Sequence, residues 1–154
     1  MRSSFTIAAQ YGAVGAAMSI RVLAVRPMLD RDHAEGAKMQ YMLLIYGDEK
    51  AQGSMTQEEG KAVMGAYFTY TEWLRSSGLM KAGDALQPTA RAKTVRVRDG
   101  KRIVSDGPFA ETREQLGGYY LIEAGSEEQA LEAAERLPGS LTGSVEVRPV
   151  MVFG

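Results

Sequence analysis

A chain of 154 residues, 45% apolar and 24% charged, has the make-up of one globular domain with enough apolar material for a real core, with or without an appendage. A net charge of -1 removes any strong electrostatic case for a nucleic-acid or membrane-surface partner. With no Cys and a single His, His33, the sequence lacks the material for thiolate or His-based metal sites, cysteine nucleophiles and Ser-His-Asp triads, so neither metal nor cofactor is expected.

Residues 1–38 read differently from the rest. "SFTIAAQYGAVGAAMSI" is small and apolar between Arg2 and Arg21, loosely in the manner of a signal peptide. Gln10, Tyr11 and two glycines dilute it, and it is too short and mixed to span a bilayer. "RPMLDRDHAEGAK" follows as a polar linker, and "MQYMLLIYGDE" opens like a domain at Met39. Two readings stand: an extension or a start placed ahead of the domain, which is favoured, and an export signal. The expected organisation is an extension over 1–38 and a domain over 39–154. A cytoplasmic location is the expectation for that domain.

From Met39 onward the elements follow in order. "QYMLLIY", Gln40 to Tyr46, predicts a first strand, apolar on both faces and therefore central or covered twice. "MTQEEGKAVMGAYFTYTEWLRSSG" predicts the first helix. Thr56 and Glu59 stand at capping-box spacing, Val63, Tyr67, Tyr70 and Leu74 form the apolar stripe, and Gly78 suits the position just past its end. "LMKAGDALQP" predicts a second strand with an Ala-Gly interruption. "KTVRVRDGKRIVSD" predicts a hairpin turning at Asp99-Gly100, with Val95 opposite Val104 and Arg98 opposite Lys101. "GGYYLIEA" is the next strand. "SEEQALEAAERLPG" is a second helix, with a capping box of Ser126 and Gln129 and a stripe of Ala130, Leu131, Ala134 and Leu137. "SVEVRPVMVF" closes the chain, its Pro149 fit only for an edge, a bulge or an interface.

The predicted fold is α+β: a ferredoxin-like β-α-β-hairpin-β-α-β order with an antiparallel sheet and two helices on one face. The other face would carry residues such as Tyr41, Leu43 and Val147, or their alternates. A second copy of the chain is its simplest cover, which predicts a homodimer.

At "VSDGPFAETREQLGGYYLIEA" the chain resembles the DGPF-type branch of the YCII-related family. The likeness extends to "LQPTARAKTVRVRDGK", "SEEQALEAAERLPG" and "VEVRPV", and so covers nearly all of Met39 to Gly154. The resemblance implies a dimeric α+β barrel with two sheets face to face. It also implies a link to transcription initiation, since DGPF-type domains occur fused to sigma-70-like factors. The wider family carries a His and an Asp suspected of acid–base catalysis. Here the first helix reads "AYFTYTEWL" without that His, and His33 lies in the unmatched extension. Asp106 carries over only as the Asp of the naming motif.

Asp106 precedes Gly-Pro, where its carboxylate suits an Asx turn. The sharper reading makes it a general base or ligand acceptor at the mouth of a cleft. Glu111, Arg113 and Glu114 are either a solvated connection or a charged rim with Arg113 as anion clamp. Gly117-Gly118 is either a strand entry or a close approach to a ligand. Tyr67, Tyr70, Trp73, Tyr119 and Tyr120 are core or interface residues, or an aromatic pocket wall; among them Tyr119 joins Glu111 and Arg113 as candidate ligand-binding residues. Arg91, Lys93, Arg96, Arg98, Lys101 and Arg102 form a cationic hairpin, read as a charge-guarded edge. Direct nucleic-acid binding is not expected from it, and no membrane partner is expected. Two functions compete: a domain that binds or acts on a small polar metabolite in a dimer cleft near Asp106, and a regulatory domain working with a sigma factor.

Overall fold

β1 (Met39–Gly47) runs through the middle of a four-stranded sheet, as its unbroken apolar sequence predicts. In the computed structural model, which describes residues 38–152, it pairs antiparallel with β5 (Gln115–Ala124) on one side and β6 (Ser144–Pro149) on the other. β2 (Met80–Ala85) pairs antiparallel with the far side of β5, giving the order β2-β5-β1-β6. The expectations for residues 1–37 and for Phe153 and Gly154, His33 included, lie outside the described residues.

Side chains alternate across a strand, so each strand has one set for each face of the sheet. Tyr41 and Leu43 are buried opposite Ile122 and Tyr120, and Val147 packs on the same side. Their alternates Met42 and Leu44 stand opposite Leu121 and Tyr119 on the other face, half-buried. That assigns the alternates, rather than Tyr41, Leu43 and Val147, to the face turned away from the helices.

The helices close the first face. α2 (Gln57–Ser76) starts at Thr56, whose hydroxyl accepts from the Glu59 amide at 3.2 Å while Glu59 Oε2 accepts from the Thr56 amide at 2.7 Å. This capping box satisfies two otherwise orphan amides and pulls the Glu59 carboxyl below its usual range, chiefly through the bond from the Thr56 backbone. Tyr70 and Leu74 are buried from α2, while Met64 and Phe68 face outward. α3 (Glu127–Glu135) buries Ala130, Ala133 and Ala134, with Leu137 just beyond it. Ala133 takes the place expected for Leu131, which is exposed. Ser126 caps the Gln129 amide, but Gln129 reaches back to the Gly125 amide rather than to Ser126. Leu43, Leu74, Ile122 and Leu137 are the largest fully buried side chains, each contributing about 1.5–3 kcal/mol by leaving water.

Three local features depart from expectation. A short helix, α1 (Glu49–Gly53), follows β1 where only a strand end was expected. β5 begins at Gln115, two residues before Gly117. The irregularity in β2 falls between Met80 and Ala82, so Lys81 is the extra residue rather than Ala-Gly.

β3 (Lys93–Arg98) and β4 (Lys101–Asp106) form a separate two-stranded sheet in the expected register, Val95 with Val104 and Arg98 with Lys101. Asp99 and Gly100 both take positive φ, 50° and 69°, as a two-residue turn of this hand requires. Pro149 lies on β6, an edge strand, where its missing amide costs no ladder bond in the sheet interior.

Candidate functional site

The turn after β1 builds a polar cavity that gathers charged side chains from distant parts of the chain. Asp48 caps α1, its Oδ1 accepting from the Lys50 amide at 2.8 Å and the Ala51 amide at 3.3 Å. Glu49 then reaches across 40 positions of sequence to Thr89. Its Oε1 accepts from the Thr89 amide at 2.8 Å and its Oε2 from the Thr89 hydroxyl at 2.7 Å. The Glu49 amide donates to Gln115 Oε1 at 3.1 Å, and Gln115 Nε2 donates to the Thr112 carbonyl. These bonds tie α1, the 3-10 turn Thr89–Arg91 and the entry to β5 around a cavity of about 280 Å³. Lys50, Thr112 and Arg113 complete its lining.

The electrostatics of the cavity are asymmetric in a useful way. Its two carboxylates already accept from the chain's own donors, as described. The ion pairs among the described residues are Arg75–Glu72, Lys81–Glu123, Lys93–Asp106 and Arg148–Glu146. Lys50 and Arg113 are in none of them. A guanidinium presents a planar fork of donors that matches a carboxylate or phosphate edge.

Of the residues singled out by sequence, only Arg113 lines this cavity. Asp106 ends β4, with its side chain 85% exposed, and its carboxylate accepts from Lys93 Nζ across the hairpin. The expected Asx turn is not what holds the Asp-Gly-Pro stretch. The Gly107 amide, at φ 86°, donates to the Ala92 carbonyl at 2.9 Å, and Thr94 Oγ1 donates to the Gly107 carbonyl at 2.8 Å. Glu111 is exposed and outside the lining. Glu114 accepts from the Ser144 hydroxyl at 2.8 Å, a bond to the start of β6.

Tyr119 lies on the sheet face away from the helices and donates to Asp84 Oδ2 at 3.0 Å. That bond, and the Asp84 charge behind it, hold the Tyr119 hydroxyl above its usual pKa. Tyr70 and Tyr120 belong to the core, and Tyr67 and Trp73 pack against it. Tyr70 packs 5.6 Å from Trp73 and edge-on to Tyr120 at 5.3 Å, and Arg136 stacks 4.7 Å above Trp73. Neither Gly117 nor Gly118 takes positive φ. A Cβ on Gly118 would come within 3.0 Å of the Asp84 carbonyl, so the close approach there is to β2 of the same sheet.

The sequence did carry a signal for part of the missed site. Asp48 followed by Glu49, just after a strand, is a helix start with an acidic first turn. Nothing local marks Thr89 or Gln115 as its partners. Among the described residues no group of three or more His, Asp or Glu is placed to hold a metal ion, and no helix is long and apolar enough to cross a membrane.

The fold and the cavity lie within the span that matches known proteins. A family model for the YCII-related domain matches residues 39–154. The chain is also similar to an uncharacterised protein of Rhizobium meliloti (strain 1021), with 39% identity over 117 residues, covering 75% of this chain and 94% of that protein. The match thus takes in α1, the Thr89 turn, the Asp-Gly-Pro stretch and both ends of the sheet, and the chain belongs to the YCII-related family.

Proposed function

We propose that the domain binds a small polar metabolite bearing a carboxylate or similar anionic group, held by Arg113 in the cavity beside α1. The observation that carries this reading is the pairing pattern in the lining: the acids Asp48 and Glu49 are engaged by the chain's own donors, whereas Arg113 and Lys50 are in no ion pair among the described residues. A volume of about 280 Å³ lies at the lower edge of the roughly 300–1,000 Å³ of small-molecule pockets, which favours a compact ligand. Binding is proposed rather than catalysis. Asp106 is exposed, paired with Lys93 and outside the cavity lining, so its carboxylate does not face a ligand held beside Arg113.

We further propose that the strand order is the ferredoxin-like plan with β3 and β4 inserted, and that two copies pair through their sheet faces as a dimeric α+β barrel. In support, the helices cover one face, while Met42, Leu44 and Leu121 stand half-buried on the other.

Thermal unfolding with a panel of small carboxylates, amines and neutral compounds tests the binding reading. A ligand at a hundred times its Kd stabilises by about 2.7 kcal/mol, or roughly 10 °C for a domain of this size. The expected result is a dose-dependent rise with a carboxylate that vanishes in Arg113→Ala. An equal rise in that variant, or a response confined to amines, would refute the site.

A further inference from the structure

Eleven of the twelve residues in β3 and β4 are exposed, and the twelfth, Thr94, is only half-buried. An isolated two-stranded hairpin is at best marginally stable in water. This one is also apolar where it should be polar. Directly opposed residues share a face, so Val95, Val104 and Val97 form one ridge, at 59%, 49% and 59% exposure. Ile103, 49% exposed, lies on the reverse face beside Arg96. An edge kept only for solubility would not carry β-branched residues on both faces.

Charge decides among the occupants that could cover it. Residues 93–106 hold five basic and two acidic side chains, a net of +3. The rest of Met39–Gly154 holds eight basic and fourteen acidic residues, a net of -6. Two hairpins would repel each other, whereas the hairpin and the remainder of the domain attract. A receiving surface of the right chemistry exists on α3, where Glu128, Glu132 and Glu135 are exposed around an exposed Leu131. Among the described residues nothing covers the valine ridge, so it is not seated on its own α3.

We propose that the β3–β4 hairpin is an arm that grips a second copy of this chain, its valine ridge set against apolar surface and its basic rim against the acidic side of the partner. This contact is separate from the cavity beside Arg113 and adds to any pairing through the sheet faces.

The absence of cysteine makes the test clean. Full-length Val97→Cys is labelled with a benzophenone maleimide, mixed with isotope-labelled wild-type chain and irradiated. The expected product has twice the chain mass, with the cross-linked peptide drawn from residues 39–154 of the labelled copy. A cross-link to residues 1–37 of the same chain, or monomer alone, overturns the proposal. Sedimentation equilibrium supplies the second arm. Val97→Glu places a charge on the ridge and is expected to weaken self-association by about tenfold or more. An unchanged dissociation constant in a chain that still dimerises would overturn the arm and leave sheet-face pairing standing.

Discussion

Glu49 holds Thr89 by both of its carboxylate oxygens, at 2.8 Å to the amide and 2.7 Å to the hydroxyl. The pair closes a loop of 40 residues that includes all of α2 and β2, and it forms one wall of the cavity. A single side chain therefore couples the shape of the site to the placing of the segment that leads into the hairpin.

Glu49→Ala removes two charge-assisted bonds at a half-buried position. Such bonds contribute up to about 1.5–3 kcal/mol each when buried, and water reaches this part-buried pair and replaces about half of that, so a loss of about 1.5–3 kcal/mol overall is expected in urea unfolding. The ligand response of the wild type should be lost with it. Glu49→Gln keeps one acceptor and should fall between. A variant as stable as wild type would mean that the Glu49–Thr89 link does not hold the loop.

Asp106 should prove nearly dispensable for stability. Its only side-chain partner among the described residues is Lys93, and that ion pair is exposed on both sides. Pairs of this kind contribute about 0–1 kcal/mol. Asp106→Asn and Asp106→Ala should both unfold within about 1 kcal/mol of wild type, and Thr94→Val should cost more than either, because Thr94 bonds the Gly107 carbonyl directly. Denaturant midpoints of the three variants decide the ranking. A larger loss for Asp106→Ala than for Thr94→Val would restore Asp106 as the turn builder.

Tyr70 predicts an alkaline limit to stability. Its hydroxyl donates to the Ala133 carbonyl at 2.9 Å, and burial, followed by its neighbour Tyr120, raises its pKa far above the usual value near 10. In the unfolded chain this hydroxyl ionises near pH 10, while in the fold it stays protonated. The unfolded state then binds fewer protons than the native one, so stability is full below about pH 10 and falls as the pH rises beyond it. Tyr70→Phe should lose about 1 kcal/mol at pH 7 and show a shallower decline between pH 10 and 12. Urea midpoints across that range test it; identical slopes for the two proteins would refute the assignment.

The elements were legible wherever neighbouring residues decide them. The Thr56–Glu59 box, the Asp99-Gly100 turn and the central position of β1 all follow from capping, φ preference and apolar patterning, which act over a few residues and so leave their mark in short words of sequence. The hairpin register followed from its turn for the same reason. The site was legible only at Arg113, because a cationic residue in a loop after a strand advertises its chemistry but not its company. Which carboxylate would be held by the chain's own donors, and which cation would be left outside the ion pairs of the described residues, was decided by tertiary contact: Glu49 meets Thr89 across 40 residues, and Gln115 meets Glu49 across 66. The same holds for Asp106, whose turn-building role passed to Thr94 and Ala92 once β3 lay beside β4. Hydrogen bonds are short-ranged and directional, so their partners are chosen by the folded path of the chain, whereas propensities and caps are chosen by the residues next door.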